Sequence, residues 1–179
     1  MRILGPALAL LLLLQLMACA KSRSVGEDYD GDKRWDEVEV QLPGYPRAEN
    51  YLPFKVSAES PFDFFVDAKS ISVGTDGVVR YALIAKSQNG AVNVSYEGIR
   101  CSERQVRVYA YGRSDSTWSR ARASSWHAVS NDARNAQQLV LYKDFFCPAR
   151  GRIVTAEEGV RALRGDFHPL VTPSVSGGE

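Results

Sequence analysis

The chain has 179 residues, 45% apolar and 24% charged, with 22 Lys and Arg against 21 Asp and Glu. That composition belongs to a folded globular chain and excludes a disordered, fibrous, coiled-coil or polytopic membrane protein. A formal net charge of +1 gives no drive toward nucleic acid, whose binders carry a strongly basic face, and the length fits one domain.

Met1 and Arg2 are followed by an apolar run, Ile3 to Leu16, interrupted by Gly5, Pro6 and Gln15. A short charged start, an apolar stretch and a small residue before a cleavage point mark a secretory signal, here residues 1–18. Leu16-Met17-Ala18-Cys19 resembles the lipobox of bacterial lipoproteins. The resemblance implies removal of residues 1–18, diacylglycerol on the Cys19 sulfur and acylation of the new amino terminus. Three acyl chains exceed the two signals that stable anchoring needs, at roughly 0.8 kcal/mol per buried CH₂. The other reading is an uncleaved anchor, since residues 3–20 nearly reach the ~20 that span a bilayer. Pro6 and the weak charged start suit cleavage better. Gram-negative sorting retains lipoproteins with Asp after the lipidated Cys in the inner membrane. Ala20 stands there, which implies the outer membrane, with the chain on its periplasmic face.

Residues 19–34 hold the lipidated Cys and a polar run with Gly26 and Gly31, a flexible tether reaching on the order of 20 Å. Residues 35–165 read as a single domain. Asp166 to Glu179, with Pro169, Pro173, Gly177 and Gly178, read as a loose, disordered tail. Within the domain, Val38 and Val40 alternate with Glu37, Glu39 and Gln41, the period of a half-buried strand. Leu42-Pro43-Gly44-Tyr45-Pro46 ends it. Phe62 to Val66 is a second apolar run, leading to Ser70-Ile71-Ser72-Val73. Asp76-Gly77 before Val78 to Lys86, and Asn89-Gly90 before Ala91 to Arg100, are hairpin signals of the type I′ kind. Val92, Val94 and Tyr96 face one way, and Asn93, Ser95 and Glu97 the other. Val106, Val108 and Ala110 repeat the alternation against Gln105, Arg107 and Tyr109. An antiparallel meander follows.

In the last third the period changes. Asn131 to Phe145 carries Ala133, Ala136, Leu139 and Val140 at helical spacings. Thr155-Ala156-Glu157-Glu158 is a capping box, with Ala156, Val160 and Leu163 on one stripe and Gly165 as the stop. Strands first and helices last give an α+β fold, an antiparallel meander with one or two C-terminal helices on one face. Three cysteines are an odd number for a secreted chain. With Cys19 lipidated, Cys101 and Cys147 remain as a pair in an oxidising compartment. Two free thiols or a metal pair are the alternatives, and two Cys without His at ligand spacing make a poor zinc site. A disulfide closing roughly 47 residues contributes about 4 kcal/mol in the chain-entropy account.

Several strings carry a wider resemblance. They are Trp35-Asp36-Glu37 with Leu42-Pro43-x-Tyr45-Pro46, Phe65-Val66-Asp67 with Ser72-Val73-Gly74, and Asp76-Gly77-Val78-Val79-Arg80-Tyr81. Further on come Ser95-Tyr96-Glu97-Gly98-Ile99-Arg100-Cys101, Trp118-Ser119-Arg120-Ala121-Arg122 and Phe146-Cys147-Pro148. In this order they resemble the CNP-like family of Gram-negative exported proteins, over most of Trp35 to Leu163. The resemblance implies one envelope domain and supplies no catalytic residue.

The candidate sites are few. Asp28, Asp30, Asp32, Asp36 and Glu39 imitate the carboxylate spacing of an EF-hand loop, but Lys33 stands where the sharp turn needs Gly. An acidic tether is the better reading, and no metal is assigned. His127 and His168 are the only histidines, and no Gly-x-Ser-x-Gly, His-Glu-x-x-His, Walker or Gly-x-Gly-x-x-Gly motif is present. No catalytic residue or cofactor is assigned, and an envelope hydrolase with an unfamiliar constellation is the alternative function. Arg100 to Arg122 holds six Arg against Glu103 and Asp115, interleaved with aromatic residues. Arg113, Trp118, Arg120, Arg122 and Trp126 therefore form a candidate surface for an envelope protein or glycan, through forked hydrogen bonds and stacking. The competing reading is that these are strand faces, with the acidic stretch Gly26 to Asn50 laid over them. The expected function is a non-catalytic binding or envelope-structural role at the outer membrane.

Overall fold

A computed structural model describes residues 35–132, 135–148, 151–165, 167, 168 and 170. The signal (1–18), Cys19, the tether (19–34) with Asp28, Asp30 and Asp32 of the calcium-like set, and residues 171–179 lie outside the described residues. The chain divides into two compact units, Met1–Trp35 and Asp36–Glu179, and the second holds the fold described below.

Its centre is an antiparallel sheet of eight strands. They are β1 (Tyr51–Phe54), β2 (Phe62–Asp67), β3 (Ser72–Val73), β4 (Val78–Ser87), β5 (Val92–Arg100), β6 (Gln105–Gly112), β7 (Trp118–Arg120) and β8 (His127–Ala128). The spatial order is β1-β2-β4-β5-β6-β7, with β3 also pairing β4 and β8 also pairing β6. Two helices follow: α1 (Ala136–Val140), continued by a wider π turn over Leu141–Phe146, and α2 (Ala156–Arg164). The α+β expectation holds, with both helices on one face. Helix α1 starts later than Asn131 and closes with the Cys147 amide donating to the Tyr142 carbonyl, five residues back.

The hairpins form where Asp-Gly and Asn-Gly predict them, but the turn type differs. Gly77 donates to the Gly74 carbonyl and Gly74 to that of Val78. Gly90 donates to Ser87 and Ser87 to Ala91. Gly77 and Gly90 have φ of +78° and +85°, whereas Asp76 and Asn89 do not enter the positive region. A type I′ turn needs both central residues there; these are three-residue loops closed by one left-handed residue. The β6–β7 hairpin repeats the pattern through Arg113, Ser116 and Thr117, with Ser116 at φ 61° in the glycine position.

The helix side of the sheet is apolar. Tyr81, Ile99 and Val106 meet Leu141, Phe146 and Ile153, all inaccessible to solvent. Burying each such side chain contributes roughly 1.5–3 kcal/mol. The Cys101–Cys147 disulfide, with Cα atoms 5.5 Å apart, joins the end of β5 to the end of α1. Thr155 caps α2 by accepting from the Glu158 amide at 3.2 Å. The Glu158 carboxylate reaches past the cap to the Val154 amide at 2.7 Å and takes His168 Nε2 at 2.8 Å. His168, expected in a loose tail, is thus buried, and its backbone N–H donates to Asp144. The tail reading does not hold at this position.

One predicted strand is absent. Val38–Val40 is extended but pairs with no strand among the described residues, and Val38 is 43% exposed. Pro43 and Pro46 remove two of the backbone donors a ladder requires. Residues 36–46 instead lie as a strap on the face opposite the helices, where Val40 and Leu42 join Ala82, Tyr96, Tyr109 and Ala110.

Candidate functional site

The strap face is built around one carboxylate. Tyr109 Oη donates to Glu37 Oε1 at 2.6 Å; Arg107 Nη1 and Trp126 Nε1 donate to Oε2 at 2.6 and 3.1 Å. Arg80 Nη2 stands 3.5 Å from Oε1. Arg80 in turn forks onto Asp76 at 2.5 and 3.2 Å, and Asp76 also accepts from the amides of Val38 and Val78. Two acids meet two guanidiniums, so the cluster is charge-balanced. Charge-assisted, forked contacts of this kind are the stronger class of hydrogen bond.

Arg107 and Tyr109, two residues apart on β6, share the strap side by strand alternation, and a bulge follows them. Glu97 pairs with Val108 and Tyr96 with Ala110, which leaves Tyr109 as an extra residue in β6. This bulge breaks the alternation expected for Val106, Val108 and Ala110, bringing Tyr109 and Ala110 to the strap side together. Gly98 of β5 lies beneath: a Cβ there would come within 2.6 Å of Tyr109 Oη and 2.9 Å of Val78 Cγ1. Only the missing side chain leaves room for the phenol to reach the strap.

Aromatic rings continue the face in a row. Tyr45 contacts Trp118, Trp118 contacts Tyr96, Tyr96 contacts Tyr109 and Tyr109 contacts Trp126, with centroids 5.3 to 6.4 Å apart. Trp118 Nε1 donates to the Pro43 carbonyl at 2.9 Å. The guanidiniums of Arg80 and Arg107 lie 5.6 and 5.4 Å from the Tyr109 centroid. Burial and then the neighbouring Glu37 carboxylate push the Tyr109 phenol well up. Burial works against ionised Asp76, but donation from Arg80 and from the amides of Val38 and Val78 holds its carboxyl below the ordinary range.

The candidate surface residues therefore divide. Trp118 and Trp126 are engaged with the strap. Arg113 donates to Ser119 at 3.3 Å from an exposed position. Arg120 and Arg122 are exposed and have no ion pair among the described residues. Between strap and β7, Glu37, Val38, Glu39 and Val40 face Arg107, Tyr109, Arg120 and Ser124 across a groove of about 310 Å³. Glu37, Asp76 and Arg80 were not among the candidates. The available signal was the opposed charge of the acidic and basic stretches.

On the other face, Glu97 is wholly buried, accepting from Ser95, Tyr81 and Gln138 at 2.6, 3.1 and 3.0 Å. Burial raises its carboxyl, and the three donors offset part of that. His127 is exposed, its Nδ1 3.4 Å from the Ser125 carbonyl. His168 is fully engaged: Nδ1 accepts from the Leu170 amide at 3.1 Å, so Nε2 is the donor to Glu158. Among the described residues, no three His, Cys, Asp or Glu side chains are placed to hold a metal ion.

Residues 30–164 match the model of the CNP1-like family. The chain belongs to that family. Cryptic neisserial protein 1 of Neisseria gonorrhoeae (strain ATCC 700825 / FA 1090) is 26% identical over 130 residues, 63% of this chain and 64% of that protein. The chain thus spans about 64% of the length of the curated relative it matches. No solved structure matches it. The strap residues and the strands that hold them all fall inside the family region.

Proposed function

We propose that this CNP1-like chain is a lipoprotein of the Gram-negative envelope, anchored through Cys19 in the outer membrane with its folded domain on the periplasmic side. The domain binds an anionic envelope component and catalyses no reaction. One observation carries this reading: whereas Glu37 and Asp76 neutralise Arg80 and Arg107, Arg120 and Arg122 are exposed and have no ion pair among the described residues. Uncompensated arginines beside aromatic rings suit carboxylate, phosphate or sulfate groups. A hydrolase of the triad kind would use a histidine beside a nucleophile, whereas His127 faces solvent and both ring nitrogens of His168 are occupied.

Crosslinked envelopes from cells carrying the wild type and the R120Q/R122Q variant test the reading. The variant should lose crosslinks at an almost unchanged melting temperature, because exposed charges contribute little stability. A clear loss of stability with every crosslink retained would show that the two arginines serve the fold alone. In the same cells, a fatty-acid probe should label the wild type and leave Cys19→Ala blank.

A further inference from the structure

We propose that the cradle of Arg80, Arg107, Tyr109 and Trp126 is a recognition site for an acidic, extended peptide of another protein, held in the resting chain by the strap's own Glu37. This site lies beneath the strap and meets the exposed Arg120 and Arg122 surface only at Arg120.

Four side chains converge on a single carboxylate, three of them as donors within 3.1 Å and the fourth as a guanidinium at 3.5 Å. That is the construction of a carboxylate receptor, with two guanidiniums, a phenol and an indole fixed by strands and by one another. The group it receives belongs to a segment outside the sheet. The strap makes no backbone ladder bond with any strand among the described residues. Its anchors are Glu37, the Val38 amide on Asp76, the Pro43 carbonyl under Trp118, and the Tyr45 hydroxyl donating to the Arg113 carbonyl at 3.2 Å. Each anchor is a local contact that another extended chain can reproduce.

Charge and shape define that chain. Its acidic residue replaces Glu37, and apolar residues at alternate positions replace Val40 and Leu42 over Tyr96, Tyr109 and Ala110. The groove beside the strap is lined by Arg107, the buried Tyr109 and Arg120. A second acid on the incoming peptide, placed as Glu39 is in the strap, faces Arg120. Electrostatic complementarity of this kind sets register and partner choice.

The test uses the full chain and a labelled peptide with the sequence of residues 36–46, read by fluorescence anisotropy. Wild type should bind it weakly, because the strap occupies the cradle. The E37Q variant, whose strap is held less, should bind about tenfold or more tightly, since apparent affinity rises with the fraction of open cradle. A peptide carrying Gln for its own first Glu should lose that gain. Equal affinity of the two peptides, or of the two proteins, overturns the proposal. A dimer of E37Q that excludes the peptide overturns it as well, by assigning the cradle to a second copy of this chain. Should E37Q fail to fold, hydrogen exchange in the wild type decides. The indole N–H groups of Trp118 and Trp126 and the Val38 amide should exchange together and ahead of the β4 and β5 amides. Protection equal to that of β4 and β5 shows a strap that never opens, and the proposal fails.

Discussion

On the helix side of the sheet, Tyr81, Ile99 and Val106 are sealed by Leu141, Phe146 and Ile153. On the strap side, Arg80, Arg107, Tyr109 and Trp126 are sealed by an extended segment through Glu37. The first face is held by removed apolar area, which is non-directional and shared among many residues. The second is held by a few directional contacts that meet at one carboxylate. Losing one apolar neighbour degrades the first face in proportion, whereas losing the acceptor takes a partner from Arg107, Tyr109 and Trp126 at once. One covering therefore belongs permanently to the fold, and the other is suited to opening as a unit.

The helix side should show the largest single effect. A C101A/C147A variant, or reduction of the wild type, should lose about 4 kcal/mol by urea denaturation, because the bridge closes the chain between β5 and α1. An unmoved midpoint would mean that the apolar contacts alone hold the helices.

The strap side should answer next, and through pH. Asp76→Asn removes a buried acceptor of Arg80 and should cost about 3 kcal/mol near pH 7, as breaking a buried pair does. The Asp76 carboxyl lies below its ordinary range in the fold. Its contribution is thus fully present above the unfolded carboxylate pKa and is lost as pH falls through the folded one. The gap between wild type and variant should close on acidification. Glu97 on the helix side runs the other way: its carboxyl is raised, so its contribution declines as pH rises above the ordinary carboxylate pKa. Glu97→Gln should improve relative to wild type over that rise. Parallel pH profiles for the two variants would erase the electrostatic distinction between the faces.

The smallest effect is expected at a turn outside both faces. Ser116 occupies the left-handed position that glycine fills in the other two hairpins. Ser116→Gly relieves a Cβ clash but adds freedom to the unfolded chain, and should raise stability by about 0.5 kcal/mol in thermal unfolding. A destabilised variant would show that Ser116 makes a contact that outweighs its backbone strain.

What the sequence by itself determined was everything local. Apolar and polar alternation in β5 and β6, glycine after Asp76 and Asn89, and Thr155 three residues before Glu158 each act within one turn or strand, and the elements stand where those signals are. The pairing of Cys101 with Cys147 was also legible, from the cysteine count and the expected secretory signal. Tertiary structure decided the rest. Glu37-Val38-Glu39-Val40 has the period of a strand, yet it became a strap because its strongest partners are side chains seventy to ninety residues away, not a neighbouring ladder. The β6 bulge that brings Ala110 to the strap side beside Tyr109 is not written in the residues of its own strand, because it arises from register against β5. His168 looked like tail and is buried, since Glu158 and the Asp144 carbonyl hold it from other elements. Local propensity acts over a few bonds, whereas these placements depend on which charges the completed sheet leaves without a partner.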